Sequence, residues 1–113
     1  MRTEQEIIDR AEYLISCTNV KKFVPELKVR TVRNKKSYAG YAGKNLMSLN
    51  ADDLENAKDY ELDMLIIHEL AHYYSPGCSH NEKFHKKMGE LGARLLLQGA
   101  ITIPEEYKEC FDE

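Results

Sequence analysis

The chain has 113 residues, of which 42% are hydrophobic and 31% charged, with a formal net charge of −3. That length suits one α+β domain spanning residues 1–113 with a single modest core, and no apolar run approaches the about 18–20 residues of a membrane span. The three cysteines, Cys17, Cys78 and Cys110, form no C-x-x-C pair, which excludes a four-cysteine zinc ribbon and argues for a reducing, cytoplasmic setting.

Thr3-x-x-Glu6, followed by Ile7, Ile8, Ala11, Leu14 and Ile15, is a capping box ahead of an amphipathic stripe and predicts a helix over Glu4–Ser16. The segment MRTEQEIIDR does not read as a secretory signal, because no apolar stretch follows its basic residue. Pro25 interrupts. Alternation then begins at Leu27, Val29, Thr31 and Arg33, and two more extended stretches follow at Ser37–Ala42 and Leu46–Asn50, separated by Gly40 and Gly43. A small antiparallel sheet of three strands is expected.

Charge is unevenly placed along this half. Lys21, Lys22, Lys28, Arg30, Arg33, Lys35, Lys36 and Lys44 face only Glu26 across residues 21–44, whereas residues 52–63 hold six acids and one lysine. The basic segment leaves a nucleic-acid partner open, although the net charge does not call for one. The plainer reading is a solvated strand face beside a helix start that favours carboxylates.

From about Asp53 to Tyr74 the pattern is helical, with Leu62, Ile66, Leu70 and Tyr74 on one face, and Pro76 and Gly77 end it. Ser79 and Glu82 form a second capping box, so a further helix is expected to start with His80 and to run through the leucines at 95–97 to Gly99. Ile101–Ile103 reads as a short extended piece, with Pro104 as the first residue of a last helical turn.

The chemistry lies in His68-Glu69-Leu70-Ala71-His72. Residues four apart on a helix point the same way, so two imidazoles can meet one cation while Glu69, about 100° further round, reaches a water on it. The bland alternative is a pair of hydrogen-bonded core histidines beside a solvated carboxylate. A third ligand is available in His80, which shares an angular sector with Phe84, Leu91 and Leu95; His85, Glu82 and Cys78 are the other choices. His85, beside Lys86 and Lys87, reads as a surface residue. Gly89 and Gly92 suit close helix packing.

His68-Glu69-Leu70-Ala71-His72, then Ser79-His80-Asn81-Glu82-Lys83-Phe84, together with the glycine-bearing 38–43 segment and Leu46-Met47-Ser48-Leu49-Asn50, resembles the SprT-like zinc metallopeptidases of the wider gluzincin-like group over roughly residues 27–95. The resemblance implies a minimal zincin-like domain, one Zn²⁺ per chain held by His68, His72 and His80, and Glu69 as catalytic base and acid acting on protein or peptide substrates. Two departures stand out. The gap between His72 and His80 is shorter than in many members, and the isolated cysteines supply no ribbon, so the DNA targeting of some members does not carry over.

Tyr73, Tyr74, Tyr38, Tyr41 and Tyr107 are the choices for a second oxyanion donor, and strand Leu46–Asn50 is a surface on which an extended substrate could pair. Two rival functions are weighed. A three-histidine zinc endoribonuclease would suit the basic segment, but Glu69 directly after the first histidine argues against it. A non-catalytic zinc-containing interaction module would use the same ligands with the basic strands as a docking face.

Overall fold

The computed structural model describes residues 1–34, 38–75 and 80–106. The first helix, α1 (Glu4–Ser16), has the bounds its capping box dictates: Thr3 Oγ1 accepts from the Glu6 amide at 3.1 Å, and Glu6 Oε1 accepts from the Thr3 amide at 2.9 Å. Such a cap contributes about 1 kcal/mol. The stripe it starts buries Ile7, Ala11, Leu14 and Ile15.

After a 3₁₀ turn at Val20–Lys22 come β1 (Lys28–Val32), β2 (Gly40–Ala42) and β3 (Leu46–Asn50). The sheet is mixed, in the order β1-β3-β2. β3 pairs in parallel with β1, Lys28 opposite Leu46 and Val32 opposite Asn50, and antiparallel with β2, Gly40 opposite Leu49. The expected antiparallel sheet is therefore corrected. The chain leaving β1 passes the place β3 will take and returns beyond it as β2, so β1 and β3 run the same way. Met47, Ser48, Leu49 and Asn50 are all buried, as a central strand requires. The second extended stretch is shorter than expected, beginning at Gly40; Ser37 lies outside the described residues.

Asn50 holds this region together. Its side chain accepts from the Asp52 amide at 3.1 Å, capping the short α2 (Ala51–Leu54), and donates to the Asn34 carbonyl at 2.6 Å. Its own amide donates to Ala39 O at 2.9 Å. The single long helix expected from Asp53 is divided: residues 55–58 separate α2 from α3 (Asp59–Tyr74). Glu61 Oε1 accepts from the Lys58 amide at 2.9 Å at the new start.

Leu62, Ile66, Ile67, Leu70 and Ala71 are buried along α3, which packs against α4, β2 and α1. Arg10 of α1 forks onto Asp63 of α3 at 2.7 and 2.8 Å and donates to Ala100 O at 2.8 Å, locking both elements to the chain beyond α4. α4 (Glu82–Leu97) buries Phe84, Gly89, Leu91, Gly92 and Leu95. It ends in a Schellman turn: Gly99, at φ +72°, lets its amide bond Leu96 O while the Ala100 amide bonds Leu95 O. Ile101 and Ile103 then return their side chains to the core.

The basic and acidic stretches meet in part. Arg33 reaches Glu4 at 3.2 Å, Asp52 at 2.9 Å and Glu55 at 3.0 Å, and Arg2 reaches Asp59 at 2.7 Å. Arg30 donates to Ser48 at 2.8 Å. Lys21, Lys22, Lys28 and Lys44 stay exposed, while Lys35 and Lys36 lie outside the described residues. No described helix is long and apolar enough to cross a membrane.

Candidate metal centre

His68 and His72 stand one turn apart on α3 with ring centroids 5.2 Å apart. His80 comes to them from the segment before α4, its centroid 4.9 Å from His68 and 5.0 Å from His72. Their ring nitrogens include one from each residue within 4.8 Å of the others, a group able to hold a metal ion. His72 Nε2 and His80 Nε2 are 3.3 Å apart. Two nitrogens bound tetrahedrally to one zinc ion at 2.0–2.1 Å would be separated by about 3.4 Å, so this pair already has the required span.

Phe84 builds the floor under all three rings. It is fully buried on α4, with its centroid 5.0 Å from His68, 4.5 Å from His72 and 4.8 Å from His80. The local geometry behind this convergence differs from the expected one. His80 is not the first residue of α4: Asn81 is the cap, its side chain accepting from the Phe84 amide at 3.0 Å, and the helix starts at Glu82. His80 thus sits just outside the helix, before its cap, where its side chain can lean back over α3. Ser79, Cys78, Pro76 and Gly77 lie outside the described residues.

His85 is exposed and outside the three-nitrogen group, its ring lying against the outer edge of Phe84 at 5.4 Å; Glu82 is likewise exposed and apart. His68 and His72 are half-buried and His80 is exposed, so the group opens to solvent on one side. Burial, assisted by His72, His80 and His85, lowers the His68 pKa to about 4. Its ring is neutral at physiological pH, the form that binds a cation.

Glu69 is 5% exposed, which removes the solvated-carboxylate alternative. Burial raises its pKa to about 7. A carboxyl poised near neutrality can take and return a proton at working pH. It lies against β2: a Cβ built on Gly40 would stand 2.8 Å from Glu69 Oε2. Sequence spacing carried no signal of this contact.

The tyrosines divide. Tyr74 donates to Asn19 Oδ1 at 2.6 Å and is committed there; Tyr38 and Tyr41 are exposed; Tyr107 lies outside the described residues. The Tyr73 hydroxyl is buried and has no hydrogen-bond partner among the described residues. β3 is flanked on both sides, so it cannot pair with a substrate as expected from sequence; the strand edge beside Glu69 is that of β2.

A cavity of about 480 Å³ elsewhere is lined by the ion pairs Arg2–Asp59 and Arg10–Asp63 and by Glu6, which accepts from the Thr3 amide. A scan of protein-family models, a search of curated proteins and a search of solved structures each return no match.

Proposed function

We propose that this chain is a zinc-dependent metallopeptidase of the SprT-like kind, a minimal zincin-like domain with His68, His72 and His80 as ligands of one Zn²⁺ and Glu69 as general base and acid. The observation that carries the reading is the convergence of three imidazoles, from α3 and from the segment before α4, with the buried Glu69 next to His68 along α3. The donor set suits zinc: three imidazole nitrogens over the buried Phe84 ring, with one side left open as hydrolysis requires.

Zinc held there would supply a Lewis acid that acidifies water and polarises the scissile carbonyl. Glu69 accepts the proton of the attacking water and passes it to the leaving amine. Its buried position raises its proton affinity. The outer edge of β2, unpaired with another strand among the described residues, offers backbone groups to an extended peptide. A cytoplasmic setting fits the cysteine pattern of the sequence.

The test is cleavage of denatured casein. Zinc-loaded protein should degrade it, a chelator should stop the reaction, and added zinc should restore it. Glu69→Gln should keep its zinc and lose about 10²–10⁴-fold in rate. RNA cleavage without casein cleavage would replace the reading with the endoribonuclease. Bound zinc without any hydrolysis would favour the interaction module.

A further inference from the structure

We propose that Gly40 of edge strand β2 and Tyr73 of α3 form a seat that fixes the Glu69 carboxylate, making both of them positioning residues. The inference rests on the peptidase reading for its catalytic consequence, but the seat itself is a matter of packing.

Gly40 is not demanded by its backbone: among the described residues only Gly99 has positive φ. Space demands it. A Cβ at residue 40 would lie 2.8 Å from Glu69 Oε2, 3.1 Å from its Cγ and 3.2 Å from its Cδ, so the carboxylate and its stem occupy the place of a side chain. β2 cannot simply lift away. Gly40 is paired with Leu49, and the residue before it is held by the bond from the Asn50 amide to Ala39 O. An added methyl group therefore has to turn Glu69, moving its reactive oxygens.

Tyr73 is the second member of the proposed seat. It follows Glu69 by one helical turn, so the two side chains leave α3 in the same direction. Its hydroxyl is buried without a partner among the described residues, a costly arrangement for a donor. It makes no hydrogen bond to Glu69 in the structure, and a turn of either side chain is needed to bring this unused donor onto the carboxylate.

The test compares Gly40→Ala, Tyr73→Phe, Glu69→Ala and the double variant Gly40→Ala/Glu69→Ala, with zinc added to each. Gly40→Ala should lower Tm by about 4 °C or more in the wild-type background and not at all in the Glu69→Ala background, where the methyl group fills vacated space. Failure of Gly40→Ala to fold while the double variant folds is the same coupling in its extreme form. Zinc affinity should hold within about twofold, while kcat on casein falls about 10²-fold at unchanged KM, the scale of a misplaced catalytic group. Tyr73→Phe should melt no lower than wild type yet lose kcat. An equal Tm loss in both backgrounds overturns the seat, and full kcat in Tyr73→Phe removes that residue from it. Should wild type cleave nothing, the peptidase reading falls and the melting comparison still decides the seat.

Discussion

His72 Nε2 and His80 Nε2 lie 3.3 Å apart, although one belongs to α3 and the other to the chain entering α4. The packing of Phe84 beneath both rings and the Asn81 cap behind His80 hold them together. His80→Ala should therefore weaken zinc binding by more than about 100-fold, beyond the usual effect of losing an outer partner. His85→Ala, on the exposed side of Phe84, should leave it unchanged. Competition with a chromophoric chelator measures both, and equal effects would displace His80 from the site.

Zinc that binds only the folded chain must stabilise it. At a free concentration a thousandfold above Kd the gain is about 4 kcal/mol, which for a chain of this size raises Tm by more than about 10 °C. Scanning calorimetry with and without a chelator reads the shift. An unchanged melting point means that the three imidazoles hold no ion.

The metal-free protein should show two opposed pH effects. Glu69, pushed up to about 7 by burial, keeps a proton in the folded chain that the unfolded chain releases above about 4.5, so this group lowers stability as pH rises to 7. His68, held down near about 4, refuses a proton that the unfolded chain accepts below 6.5, so stability drops as pH falls from there. Glu69→Gln abolishes only the first effect. Its advantage over wild type in urea unfolding should be near zero at pH 4.5 and reach on the order of 2 kcal/mol by pH 7.5. An advantage independent of pH would mean that Glu69 is not desolvated.

The Arg10–Asp63 pair sets α3 against α1, with Asp63 buried and Arg10 one-third exposed. Asp63→Asn leaves the guanidinium without its charge partner. Breaking such a pair costs about 3–5 kcal/mol when both groups are buried, and about 2–3 kcal/mol is expected here because water still reaches Arg10. Equilibrium urea unfolding checks the value; a change under about 0.5 kcal/mol would make the pair a surface ornament.

Local signals in the sequence were readable where one element contains the whole interaction. Thr3 and Glu6 placed α1 to the residue, and the i, i+4 spacing of His68 and His72 placed two rings on one face. Relations between elements were not. Parallel pairing of β1 with β3 depends on where β2 inserts, which no local pattern encodes. Ser79 and Asn81 are both able caps, and the choice of Asn81 shifts His80 off the helix. The break between α2 and α3 is set by Asn50 capping the first turn and Glu61 the second, so a continuous run of helix formers concealed two starts. Gly40 against Glu69 is a contact across 29 positions, visible only once β2 lies on α3.

X-ray absorption at the zinc edge of the zinc-loaded protein tests the centre most directly. The expected spectrum shows one zinc per chain with three imidazole nitrogens at about 2.0–2.1 Å, one oxygen donor and no sulfur. A sulfur shell at about 2.3 Å, or zinc retained at full occupancy when His68, His72 and His80 are all replaced by alanine, would contradict the assignment.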